Sequence, residues 1–167
     1  IIDGNAETTN DYQFQLISSN DAVTLSETII SGGKLQPGSE VDLYKFTGNE
    51  GERVYFNSLE PSSSATWLLY GPSNNYITGA KLDSDFEVEL PGNGTYTLML
   101  RGDSNTESEI DYSIEIISTT SPINQLVPVN GEISVTDNIS KLGEQDKYTF
   151  DATVGQQIYL DFVEGND

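Results

Sequence analysis

Two stretches of the chain, one hundred residues apart, spell almost the same strand: DYQFQLIS at residues 11–18 and DYSIEIIS at residues 111–118. A shift of 104 residues aligns a longer block, DLYKFTGNEGERVYFNSLE (42–60) with DKYTFDATVGQQIYLDFVE (146–164). Asp42, Tyr44, Phe46, Gly51 and Tyr55 fall on Asp146, Tyr148, Phe150, Gly155 and Tyr159. The apolar positions match in character: Val54 with Ile158, Phe56 with Leu160, Leu59 with Val163. Upstream, Val23 meets Val127 and Ile29 meets Ile133, and the four extra residues fall in the linker after Ile117. A fixed period with loose identity marks tandem units. On this basis residues 20–120 are one complete unit, residues 1–19 carry the closing strand of a preceding unit, and residues 121–167 carry the opening strands of the next.

Each unit reads as β structure. DLYKF (42–46), RVYFNSL (53–59), DFEVEL (85–90), TYTLML (95–100) and YSIEI (112–116) alternate apolar and polar residues. That period of two puts one face of a strand on a core and the other in water. Turn signals separate them at GNEGE (48–52), GPSNN (71–75) and PGNG (91–94), and no stretch has a sustained helical period. The expectation is an all-β fold: an antiparallel β-sandwich, jelly-roll-like, built on a tandem unit of about 100 residues.

Charge narrows the function. With 27 acidic residues against 7 basic ones the formal net charge is −20, which disfavours nucleic acid and anionic membrane surfaces as partners. No apolar run approaches the ~20 residues of a membrane span. There is no Cys and no His, so a disulfide framework, a Cys nucleophile, a Ser-His pair and His acid–base chemistry are all excluded within these residues. Carboxylate pairs are inevitable among so many acids, and none is marked out by its spacing. The chain is not expected to be an enzyme.

The strand and turn phrases resemble a known family. Asp42, Tyr44 and Phe46, the Gly51 turn, Val54 to Phe56, TWLLYGP (66–72), Gly94 to Tyr96 and the closing Tyr112 to Ile116 are similar to the bacterial pre-peptidase C-terminal domain, in the tandem form found in large secreted proteins of cyanobacteria and other bacteria. The likeness covers essentially the whole chain and consists of fold-determining residues. It implies a β-sandwich used as an accessory or surface module, located outside the cell or at its surface. Related sandwiches help clostridial collagenases bind collagen, sometimes with calcium, but no collagen-binding residue carries over.

Candidate site residues are few. Asp3, Asn5, Glu7 and Asp11 recur one hundred residues on as Asp103, Asn105, Glu107 and Asp111. Oxygen ligands alternating along a loop suit a hard cation such as calcium, and a merely solvated acidic loop gives the same pattern. LDSD (82–85) is a second, weaker calcium candidate. Trp67 is a core anchor or, alternatively, an exposed platform for a ligand. Tyr12, Tyr44, Tyr96, Tyr112 and Tyr148 are expected as half-buried rings with hydroxyls reaching solvent or backbone. Asp42 and Asp146 are expected to cap strand starts, and Gly94 to supply positive φ in a hairpin between Leu90 and Tyr96. Arg101-Gly102-Asp103 follows a strand and spells an integrin-type tripeptide. Three function classes follow: a structural or adhesive repeat whose neighbours or copies meet head to tail through exposed strand edges, a carbohydrate- or matrix-protein-binding module attached to a secreted hydrolase, and a calcium-dependent adhesin.

Overall fold

The computed structural model describes residues 14–25, 28–119, 123–127 and 131–162. A short 3-10 turn, Ser19–Asp21, leads into nine strands: β1 (Val23–Thr24), β2 (Ile29–Leu35), β3 (Val41–Gly48), β4 (Arg53–Ser58), β5 (Ala65–Tyr70), β6 (Tyr76–Lys81), β7 (Phe86–Glu89), β8 (Gly94–Gly102) and β9 (Ile110–Thr119). They form two sheets, β1-β3-β8-β5-β6 and β2-β9-β4-β7. Every pairing in them is antiparallel except β1 with β3, which is parallel. Two further strands, β10 (Ile123–Leu126) and β11 (Lys147–Phe150), pair in parallel with each other.

The core lies between the two sheets and follows the alternation. In β5 the inward residues Ala65, Trp67 and Leu69 are buried, in β8 Tyr96, Leu98 and Leu100, and in β4 Val54 and Phe56. Phe56 joins the layers: its ring stacks on Phe86 at 4.5 Å and meets Trp67 edge-on at 6.1 Å. Aromatic pairs in such geometry add to the gain from burial alone. Trp67 is fully buried, so the ligand-platform alternative falls, and its indole nitrogen donates to the Ser84 carbonyl at 3.2 Å.

Other expectations change. Leu90 and Tyr96 flank no hairpin. β7 ladders on β4 and β8 on β3 and β5, so the connection between β7 and β8 crosses from one sheet to the other. Gly94 does take positive φ, at 145°. β6 has no counterpart in the alternation, because its residues are half-buried on both faces and Gly79 interrupts them. β9, the strand that closes the unit, lies between β2 and β4. It is the most thoroughly buried of the four strands in its sheet.

Candidate functional site

The strands β3 and β9 carry the residues that recur along the chain, and the structure joins them. Asp42 and Tyr44 share a face of β3 by the period of two. From the opposite sheet the Tyr112 hydroxyl donates to Asp42 Oδ2 at 2.5 Å and accepts from the Tyr44 hydroxyl, also at 2.5 Å. Room for the Tyr112 ring comes from its cross-strand neighbour Gly33, where a Cβ would lie 2.2 Å from the ring. Asp42 therefore sits inside its strand and ties the two sheets together, rather than capping the strand start. Burial, reinforced by the hydrogen bond it donates to Asp42, pushes the Tyr112 hydroxyl well above the ordinary tyrosine range. Burial also raises Tyr44. Tyr96 is fully buried too, and its hydroxyl donates to the Gly92 carbonyl at 2.5 Å. Tyr12 lies outside the described residues.

The acidic candidates are dispersed. Asp103 faces Lys81, with Nζ 2.9 Å from Oδ1 and 3.0 Å from Oδ2. Asp111 faces Lys34 at 2.8 Å, and Glu109 pairs with the same ammonium. Hydrogen bonds from that ammonium to Asp111 and then Glu109 raise Lys34 above the ordinary lysine range. Asn105 and Glu107 lie in the β8–β9 connection with no carboxylate cluster around them. Among the described residues no group of three or more acidic side chains is arranged to hold a metal ion. Asp3, Asn5, Glu7 and Asp11 fall outside those residues. In LDSD, Leu82 is buried, and Asp85 accepts from the Ser58 N–H at 2.8 Å and the Tyr55 hydroxyl at 2.9 Å, which fastens β4 to the β6–β7 turn. Arg101-Gly102-Asp103 does not project: Arg101 and Gly102 belong to β8, Gly102 is buried, and the Asp103 N–H donates to the Ser64 carbonyl. The exposed Tyr76 meets Tyr70 at 71°, so these two rings do not form a flat platform.

What sequence reasoning did not find is a set of local structures repeated 104 residues apart. Glu40 accepts from the Gln36 N–H at 2.8 Å, and Glu144 from the Ser140 N–H at 2.6 Å. The Glu40 N–H bonds the Pro37 carbonyl, and the Glu144 N–H the Lys141 carbonyl. In the next turn, Glu52 accepts from the Asn49 N–H at 2.9 Å, and Gln156 from the Thr153 N–H at 3.0 Å. Gly51 and Gly155 within those turns have φ of 77° and 85°. β11, the counterpart of β3, also has a parallel partner, but not in the 104-residue register: Tyr44 pairs with Val23, whereas Tyr148 pairs with Asn124 rather than with Val127. The long-range environments differ, since the Tyr148 hydroxyl donates to Asp137 at 2.9 Å rather than to a tyrosine. The second segment approaches the first sandwich at Gly143, where a Cβ would lie 2.7 Å from Tyr55 Cβ. A groove is lined by the Asn49–Arg53 turn, Glu89, Thr119, Ile123 and Lys147.

No family model and no curated protein matches the chain. Among solved structures it is similar to PliG of Aeromonas hydrophila, a periplasmic inhibitor of g-type lysozyme, at 14% identity over 58% of this chain and 95% of that one, with a TM-score of 0.50. PliG of Salmonella Typhimurium has 19% identity over 58% and 96%, with a TM-score of 0.45. The pre-peptidase C-terminal domain of a Bacillus anthracis collagenase has 20% identity over 58% and 95%, with a TM-score of 0.46. The β-sandwich implied by the sequence resemblance is the fold observed. At these identities the likeness is one of fold.

Proposed function

We propose that the chain is a stretch of a tandem array of β-sandwich units, a non-catalytic structural and adhesive element of a large extracellular or cell-surface protein. The observation that carries this reading is the 104-residue recurrence of hydrogen-bonded turns. Chance alternation of apolar residues reproduces strands, but not side-chain caps at matching positions. The unit boundaries proposed are residues 1–19, 20–120 and 121–167. A strongly acidic surface keeps such an array soluble and its units apart. Within the sandwich the polar residues that recur are occupied in joining sheets and turns, which leaves shape rather than chemistry as the product of the fold.

The test is to complete the second unit in its own register. Appending residues 61–119 after residue 164 continues the 104-residue period. The expected result is a second sandwich, seen as roughly doubled cooperative unfolding enthalpy and a Tyr148 hydroxyl protected as Tyr44 is. An appended segment that stays unstructured while the first sandwich folds overturns the array. Melting with calcium against chelator separates the array from the calcium-stabilised adhesin: a rise of several degrees in Tm is the outcome expected only of the latter.

A further inference from the structure

The two sheets carry opposite charge on their outer faces. Strands β1, β3, β5, β6 and β8 hold one of the chain's 27 acidic residues, Asp42, and it turns inward to Tyr112. The outward residues of this sheet fall into cross-strand rows. Arg101, Thr66 and Lys81 form one row on β8, β5 and β6. Leu43, Met99 and Leu68 form the next, and Lys45, Thr97 and Tyr70 a third. An apolar row thus lies between two that carry cations. Asp103 meets Lys81, whereas among the described residues Lys45 and Arg101 have no carboxylate at ion-pair distance. The outer face of the other sheet carries Asp111, Glu115, Glu87 and Glu89 against Lys34 and Arg53.

We propose that the outer face of β3, β8, β5 and β6 is an interaction surface for a second copy of the chain, and that it meets the acidic outer face of β2 and β9 on that copy. Composition favours a protein partner. Interface cores are enriched in Tyr, Met and Arg and depleted in Asp and Glu, and this face holds Tyr70, Arg101 and the chain's single methionine. Charge complementarity selects the copy, since the acids absent from this face crowd the rest of the same chain. The β2–β9 part of the counter-face is open: the Asp111 and Lys34 side chains are 63% and 52% exposed. The β4 part is in use, with Gly143 against Tyr55 and the Arg53 side chain only 16% exposed. The net charge of −20 does not forbid approach, because at 0.1 M salt charges are screened beyond about 10 Å and the meeting faces decide. Four strands ~4.8 Å apart, each ~7 residues of ~3.3 Å, make a face of about 450 Å², roughly half the ~800 Å² per partner of a standard interface. A single contact is therefore weak and gains strength where several act together. One face meets a different one, so the contact is heterologous and propagates. It goes beyond the array reading and does not depend on it, since both faces lie within residues 29–119.

Exchanging the charges tests the contact. At about 0.1 M salt the 167-residue chain is expected to gain mass with concentration in sedimentation equilibrium. Lys45→Glu/Arg101→Glu should weaken that association about tenfold or more, with the melting temperature unchanged. Asp111→Lys/Glu115→Lys should weaken it as much, although this pair makes the chain less negative and less self-repelling. Mixed together, the two variants should associate again, the reversed face of each meeting its complement on the other. A monomer at all concentrations, an association that either pair leaves untouched, or a mixture no heavier than its components overturns the proposal. The appended-unit chain reads the array separately, since its second sandwich forms or fails in cis whatever copies do to each other.

Discussion

Residues 29–60 and 133–162 are written to nearly the same plan and end in different states. Both make the same capped turns, with Glu40 and Glu144, then Glu52 and Gln156, in matching roles. Only the first has a buried core: Phe56 is fully enclosed and its counterpart Leu160 is not. The turns depend on contacts within about five residues and form wherever the local sequence allows. The core depends on β8 and β9, which arrive some 50 residues later. Local structure is therefore a property of the segment, and burial a property of the completed sheet.

The largest test of that contrast is a matched pair of truncations. Phe56→Ala should destabilise the sandwich by about 3–5 kcal/mol, as emptying an aromatic core site does, whereas Leu160→Ala in a chain lacking residues 1–18 should stay within about 0.5 kcal/mol. Urea denaturation measures both, and equal losses would break the comparison. Next, Tyr112→Phe strips a half-buried carboxylate and a hydroxyl of their shared partner and should cost about 1–3 kcal/mol, with Tyr148→Phe close to neutral. The same network fixes a pH dependence. The folded-state pKa values of Tyr112 and Tyr44 are raised above the ordinary value, so their contribution is complete below the unfolded tyrosine pKa of about 10 and is lost as pH rises beyond it. Stability should fall above about pH 10, less steeply in Tyr112→Phe, with tyrosinate absorbance reporting the titration. At the acid end, burial pushes Glu52 up, but hydrogen bonds from Ser118 and Asn49 outweigh it and hold the carboxyl below its ordinary value. Its contribution is present above the unfolded glutamate pKa of about 4.3 and is lost as pH falls. The smallest effects concern what the two regions share: Glu40→Ala should speed amide exchange at Gln36, and Glu144→Ala at Ser140 and Lys141, with the global unfolding midpoint unchanged.

The sandwich was legible because β3, β4, β7, β8 and β9 alternate in sequence and Gly, Pro and Asn mark the turns. β6 was not, since Ile77–Ala80 are half-buried on both faces and Gly79 interrupts the run. The hairpin expected around Gly94 failed because turn chemistry fixes a reversal but not which sheet the next strand joins. The bond between Tyr112 and Asp42 spans 70 residues of sequence. Alternation marks both side chains as strand residues and says nothing of their meeting. The acidic loop at 103–111 looked like a ligand set on spacing alone, and Asp103 and Asp111 in fact face Lys81 and Lys34. Such exposed pairs contribute little to stability, about 0–1 kcal/mol each.

The position of β9 has a consequence for biosynthesis. The last strand of the sandwich to leave the ribosome is the one that sits in the middle of its sheet. Until residues 110–119 emerge, β2 and β4 remain unjoined to each other, and a nascent unit of this design stays open until its final ten residues are made.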